Sequence, residues 1–273
     1  MGEIHENKMH KLTIAGGHKD RFFIANQYGE SIIIKQTNLN EMVAYEKIFN
    51  SKSSDPRFRE NQVLKNFLPK YYGVQELEAP SIYQDDSLSK DNIPILLENL
   101  LADKPNASIL DLKMGTSSLS LKKRAKHDVE RIKLKDSMTT TKTLGFRVTG
   151  YIIKDSNGNT LEKVVKPHGK IKAEQIPIIL QKLLSFQNDQ NGINSEAIEY
   201  LKSQISKMIK YFQNIHSRQM QCSSLFIIID NLNRKYDIKI VDLSSCQDFK
   251  SLEERDTGFI FGLTNLLAIL QTL

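Results

Sequence analysis

The segment SILDLKMGT (108–116) sets an aspartate and a lysine two residues apart in an apolar run, with a glycine close behind. On a strand, Asp111 and Lys113 would face the same side, and Gly115 would allow a tight turn straight after them. An acid and a base projecting into one cleft are suited to orienting a hydroxyl and a phosphate; the plainer alternative is a local surface pair. Lys35 ends a second apolar run, SIIIK, just before a segment carrying Glu41 and Glu46. A strand lysine steadied by a helix carboxylate can hold the phosphates of a nucleoside triphosphate, although a strand-end lysine is more often a solvated charge. Asp242 follows IKIV and enters the polar loop SSCQD. That placement suits a Mg²⁺ ligand, with a turn or capping aspartate as the simpler reading. ILLENLL (95–101) reads as a strand feeding a connector whose backbone could pair with an adenine edge, or as a buried strand.

A basic run follows the Asp111–Lys113 pair: Lys122, Lys123, Arg124, Lys126, His127, Arg131, Lys133 and Lys135. If helical, Lys123, Lys126 and His127 share a face, and Arg131 extends it. A second basic cluster, KVVKPHGK, contains Lys166 and Lys170. Charge runs are ordinarily solvated helix faces. This one starts a few residues after the candidate reacting groups, which favours contact with an anionic ligand.

These residues need elements to position them. KLTIAGG, RFFIANQ and SIIIKQT predict an antiparallel meander. NLNEMVAYEKIF has apolar residues at helical spacing, capped by Asn38 or Asn40. PKYYGVQEL and IPILLENLL are further strands, separated by a polar loop. Residues 1–100 therefore read as a small, strand-rich lobe. In residues 101–273, ASILDLKMG is a strand and 119–137 is compatible with a helix. GFRVTGYIIKDSNGNTLEKVV is a hairpin with Asn157-Gly158 at its turn. EQIPIILQKLLSFQ and SEAIEYLKSQISKMIKYFQNIHS are amphipathic helices, Pro177 entering the first turn of the former or kinking it. SSLFIIIDNLNRKYDIKIVDL is a second hairpin. DTGFIFGLTNLLAILQTL is a closing helix capped by Asp256 or Thr257. The expected class is α+β.

Composition bounds the function. The 273 residues carry a net charge of +6, with pI near 9.1, which suggests a polyanionic partner. No apolar run reaches the roughly 18 residues of a membrane span, so no membrane insertion is expected. Gly2 invites a myristoylation reading, but Glu6 stands where a Ser or Thr is wanted. Cys222 and Cys246 lack metal-ligand spacing and suggest a reducing, intracellular setting, cytoplasmic or nuclear.

Taken together, the motifs resemble the inositol polyphosphate kinase family. SILDLKMGT resembles its PxxxDxKxG motif, with Ala107 in the proline's place. LTIAGGH is similar to its GGH turn, and LLEN to its connector. TLGFRVTGY resembles its LGxRxxGxxxY hairpin, and SSLFIIID its SSLLxxYD segment. IVDLSS stands where the family has IDF, with Leu243 replacing Phe, and DTGFIFGLTNLLAIL resembles DxGYIFGLxNLxxIL. The matches run in order over about residues 12–270. The wording of LDLKMGT and GFIFGLTNL is most similar to the inositol hexakisphosphate kinase subgroup.

The resemblance implies a two-lobed, protein-kinase-like fold with ATP between a small antiparallel-sheet lobe and a larger α+β lobe bearing an inositol-phosphate-binding helical segment. It implies that Lys35 contacts ATP phosphates with Glu41 steadying it, and that Glu98 and Leu100 pair with adenine through backbone atoms. Asp111 would lie by the ribose and reacting groups. Lys113 would reach the transferred phosphate or the inositol ligand, and Asp242 would ligate Mg²⁺. Ser224 is a further site residue. Lys166 and Lys170 match the family's KxYYGRKL region, Lys170 replacing an Arg and so losing a planar fork. Each phosphate monoester carries about −1.5 to −2 charges near pH 7, so a hexakisphosphate carries on the order of −10. An open cleft walled by Lys and Arg suits such a ligand.

The expected activity is ATP- and Mg²⁺-dependent transfer to inositol hexakisphosphate, forming an inositol pyrophosphate, by a monomer. The alternative within the class is phosphorylation of ring hydroxyls on lower inositol phosphates. A nucleic-acid module is disfavoured, because the basic residues are not interleaved with aromatics and Trp is absent. A non-catalytic polyanion-binding scaffold is disfavoured by the joint presence of Lys35, Asp111, Lys113 and Asp242. No place is expected for an appended regulatory arm.

Overall fold

The computed structural model describes residues 10–11, 22–27, 30–75, 92–119, 126–155, 157–167, 171–186 and 192–273. The GGH turn, residues 76–91, Lys122–Arg124 and His168–Lys170 lie outside them.

The first lobe is a five-stranded antiparallel sheet built from β1 (His10–Lys11), β2 (Phe22–Gln27), β3 (Glu30–Thr37), β4 (Tyr71–Val74) and β5 (Ile93–Glu98), in the order β1-β2-β3-β5-β4. Helix α1 (Leu39–Phe49) follows β3 directly, with Asn38 as its N-cap: its side chain accepts from the Glu41 amide at 3.1 Å. Helix α2 (Phe58–Leu64) completes the lobe.

The second lobe is built on another antiparallel sheet. Its strands are β6 (Ser108–Met114), β7 (Phe146–Lys154), β8 (Thr160–Val165), β10 (Ser224–Asp230) and β11 (Lys235–Val241). The order is β11-β10-β6-β7-β8, so the strand carrying Asp111 and Lys113 is the middle one. Between the strands lie α3 (Lys126–Ser137), α4 (Thr141–Leu144), α5 (Ile176–Leu184), α6 (Ser195–Asn214) and the short β9 (Arg218–Gln219). After β11 come β12 (Gln247–Asp248), paired with β9, and α7 (Thr257–Gln271), which Asp256 caps by accepting from the Phe259 amide at 2.9 Å. The α+β, two-lobed expectation holds. The helix of the basic run is described from Lys126, and Pro177 lies in the first turn of α5.

The two faces of β6 divide the labour. Leu110, Leu112 and Met114 join the main core with α5, α6 and α7. Ala107 and Ile109 pack with Ile152, Ile228 and Leu100 on the opposite face, and Asp111 and Lys113 continue that face toward the first lobe. Three glycines fix the ends of these elements. The Gly115 amide donates to the Gly145 carbonyl at 2.8 Å. Gly145 and Gly262 touch backbone to backbone: a Cβ on Gly262 would stand 2.4 Å from the Gly145 carbonyl oxygen. Asn265 of α7 donates to the Leu144 carbonyl at 3.0 Å, closing the end of α4. The separate motifs ending in Gly115, Gly145 and Gly262 are thus one packing unit.

Candidate functional site

Lys35, at the end of β3, is buried, and its Nζ lies 2.7 Å from Glu41 Oε1. It also donates to Asp242 Oδ1. Burial pulls the ammonium down, but the two carboxylates outweigh it and hold its pKa above the ordinary value. Glu41 is itself locked: Oε2 accepts from the Thr37 hydroxyl and Oε1 from the Leu243 amide at 3.0 Å. Glu46 faces elsewhere and accepts from Tyr71. Leu243 is fully buried, so where the related motif has Phe this chain keeps an apolar anchor beside Asp242.

Asp242 adopts left-handed backbone, φ 62°, an unusual conformation for a residue other than glycine. The positive charge of Lys35 holds its carboxyl below the ordinary range, although partial burial works the other way. Asp111 is pushed the other way: burial, then the charge of Asp242, raise it, against the Thr149 and Ser224 hydroxyls and Lys113, which lower it. Its Oδ1 is buried without a hydrogen-bond partner among the described residues. Ser224 is the register partner of Lys113 across β10–β6. Lys35, Glu41, Asp111, Lys113, Ser224 and Asp242 are therefore brought together from β3, α1, β6, β10 and the turn after β11.

The connector lies beside them. The Glu98 amide donates to the Lys70 carbonyl at 2.9 Å, and Lys104 Nζ donates to the Leu100 carbonyl at 3.2 Å. Asn99 ties the connector to β3 by donating to Ser31 Oγ at 2.8 Å. A cavity of about 510 Å³ opens between the lobes here, bounded by Ile24, Ser31, Asn99, Ala107, Ile109 and Ile152 among others. Ala107 does what a proline could not: its amide donates to the Lys104 carbonyl at 3.2 Å.

The cationic wall differs from the one that helical spacing alone suggests. Lys123 and Lys170 lie outside the described residues. Lys126 opens α3. His127 and Arg131 are 80% and 76% exposed, and both face Asp128, at 3.5 and 3.4 Å. Lys166 follows β8 exposed, its amide donating to the Thr149 carbonyl at 3.1 Å, near Asp111. Two further cations act on Lys113: Arg147, which sequence reasoning did not assign to the site, and Lys135, a member of the basic run that helical spacing did not single out. Arg147, nearly buried, is Lys113's register partner on β7. Lys135 sits at the end of α3, where burial and then the charges of Arg147 and Lys113 lower its pKa. Arg147 was visible in LGFR as a motif letter; its alignment with Lys113 depends on a bulge between β6 and β7 that moves Thr149 out of register.

The family model for inositol polyphosphate kinase matches residues 94–271. Inositol hexakisphosphate kinase 3 of Mus musculus is 26% identical over 205 residues, covering 65% of this chain and 50% of that protein. Inositol polyphosphate multikinase of Schizosaccharomyces pombe is 23% identical over 236 residues, covering 76% and 81%. The chain thus spans about half the length of the hexakisphosphate kinase relatives it matches. The crystal structure of an inositol phosphate multikinase from S. cerevisiae in complex with ADP and Mn²⁺ has the same fold, with a TM-score of 0.65 at 18% identity over 88% of this chain and 98% of that one. Among the described residues no helix is long and apolar enough to cross a membrane.

Proposed function

The chain belongs to the inositol polyphosphate kinase family, and from that premise we propose that it transfers the γ-phosphate of ATP to an inositol phosphate, with inositol hexakisphosphate as acceptor and an inositol pyrophosphate as product. The observation that carries the reading is the convergence of Lys35, Glu41 and Asp242 with Asp111 and Lys113 in one cleft. In this reading residues 1–100 hold the nucleotide, and residues 101–273 supply the reacting side and the acceptor wall.

The connector supports the placing of adenine. The Glu98 amide and the Leu100 carbonyl are engaged within the protein, so the reading gives adenine the Glu98 carbonyl and the Leu100 amide. One acceptor and one donor match an edge that presents one donor and one acceptor. Lys35, fixed by Glu41, meets the phosphates. The donor set also fits a divalent ion: Asp242, and the unpartnered Oδ1 of Asp111, are two carboxylate positions, and Mg²⁺ is usually held by one or two carboxylates plus substrate phosphates. When bound, Mg²⁺ would neutralise charge on the transferring phosphoryl group. Lys113, beside Arg147 and Lys135, would hold the acceptor's phosphates.

A second reading has its own support. Asp111 is raised toward neutrality and lacks a partner on Oδ1, which suits a base for a hydroxyl acceptor. That would make the chain a multikinase acting on lower inositol phosphates. Incubation with ATP, Mg²⁺ and a panel of inositol phosphates, followed by phosphorus NMR, separates the two. A diphosphate resonance from the hexakisphosphate is expected. New monoesters on lower inositol phosphates without a diphosphate would favour the second reading, and no transfer to any acceptor would defeat both.

A further inference from the structure

Asp136 is the one carboxylate of α3 that is buried, at 1% exposure, in a stretch whose neighbours are largely exposed. A buried carboxylate is costly unless fully bonded. This one accepts from the Ser118 amide and the Ser118 hydroxyl, both at 2.6 Å, and from Ser117 Oγ at 3.4 Å. Ser118 Oγ in turn accepts from Arg147 Nη1 at 2.7 Å, and Arg147 Nη1 stands 3.7 Å from Asp136 itself. Thr141 Oγ1 receives the same nitrogen at 2.9 Å. All three contacts use Nη1, so Nε and Nη2 of the guanidinium have no hydrogen bond among the described residues. A guanidinium pinned on one side keeps half of its planar fork for another anion.

We propose that Asp136 is a positioning residue for acceptor binding: it pins the last turn of α3 to the loop after β6, so that Lys113, Arg147 and Lys135 form one cationic wall. The three cations come from β6, β7 and α3, and only the third can shift independently of the sheet. Lys135 is the sequence neighbour of Asp136, so the pin sets where its ammonium stands. The proposal rests on the reading that this wall takes inositol phosphates.

The test is calorimetric titration of the full chain with inositol hexakisphosphate and, separately, with ADP. Asp136→Asn keeps the shape and removes the charge. A simple field effect predicts tighter hexakisphosphate binding in the variant, because a negative charge near the ligand is lost. Positioning predicts the opposite: hexakisphosphate binding about tenfold weaker, the loss of one charge-assisted contact, with ADP affinity held; the melting temperature should fall in this variant, because Arg147 loses a buried charge partner. Ser118→Ala retains Asp136 and cuts the bridge to Arg147; it should weaken hexakisphosphate binding in the same direction by less, and it carries the test if Asp136→Asn does not fold. Unchanged or tighter hexakisphosphate binding in the variants overturns the proposal, as does a parallel loss of ADP binding. A wild-type chain that binds ADP but neither the hexakisphosphate nor a lower inositol phosphate removes the functional reading, and the proposal with it.

Discussion

Replacing Lys35 by Met should destabilise the fold as well as stop nucleotide binding, and the structure sets the size. Glu41 is 3% exposed on its side chain and is bonded by Lys35, Thr37 and Leu243. Without the lysine it remains a buried charge with two neutral donors. Removing one partner of a buried ion pair costs about 3–5 kcal/mol. Asp242 is 40% exposed, so water can replace the lysine there, and no cost is added for it. At about 2–4 °C per kcal/mol for a chain of this size, Lys35→Met should melt roughly 6–20 °C lower. Lys35→Met/Glu41→Gln should recover most of that loss, because an uncharged pair of similar volume is often neutral for stability. The pH dependence has a sign. The folded pKa of Lys35 is raised, so its contribution is fully present below the unfolded value of 10.5 and fades as pH rises through the folded one. The folded pKa of Asp242 is lowered, so its contribution is present above 3.8 and fades as pH falls through the folded one. Thermal melts of the three proteins between these limits are the assay. A Lys35→Met chain that melts with wild type, or a double variant no better than the single, would refute the reasoning.

Asp111→Asn should lower turnover on a hydroxyl acceptor about 10²-fold or more, the usual worth of a positioned base, and should cost less on a phosphate acceptor, which is already anionic. Because burial and Asp242 raise Asp111, the acid limb of kcat/KM should lie above 3.8 and vanish in the variant; equal losses on the two acceptors would point to a ribose or metal contact instead. Lys135→Gln should raise KM for the hexakisphosphate while leaving that for ATP unchanged. Since partial burial, then the charges of Arg147 and Lys113, hold Lys135 below 10.5, wild-type binding at alkaline pH should take up a proton, read by calorimetry in buffers of different ionisation enthalpy. Gly262→Ala sets a Cβ 2.9 Å from Met114 Cε as well as against the Gly145 carbonyl; overpacking of about 1–3 kcal/mol should lower the melting temperature by roughly 2–12 °C.

Much of the fold was legible because its signals are local. The short continuous apolar runs in SIIIKQT and SSLFIIID, the Asn and Asp caps and the glycine turns each name an element without reference to the rest of the chain. Asn38 and Asp256 proved to be the capping choices because their side chains reach the third amide of the helix. Helix α4 was not legible: four residues between a basic helix and a strand have too little periodicity, and Gly145 reads as the start of a hairpin as readily as the end of a helix. Pairing between distant motifs was equally hidden. Nothing in LGFR or GFIFGL says that Gly145 and Gly262 meet; only the assembled chain puts one glycine's missing side chain against the other's carbonyl.

At the site, the same division separates single residues from groups. Lys35, Asp111, Lys113 and Asp242 stand out individually, as charges at the ends or in the middle of apolar runs, where burial costs too much to be idle. The cationic wall has no such signal, because the eight basic residues of one run all look alike to a periodicity argument. Helical spacing groups His127 with Arg131, and those two do share a face, but it is the face that looks to solvent and to Asp128. The face that turns inward carries Asp136, an acid in a basic run. A lone acid among lysines is easily read as a surface ion-pair partner, but a buried one sets the helix rotation, since it can turn inward only if Ser118 and Arg147 are there to receive it. The most informative residue of a charged helix can therefore be the one whose sign disagrees with the rest.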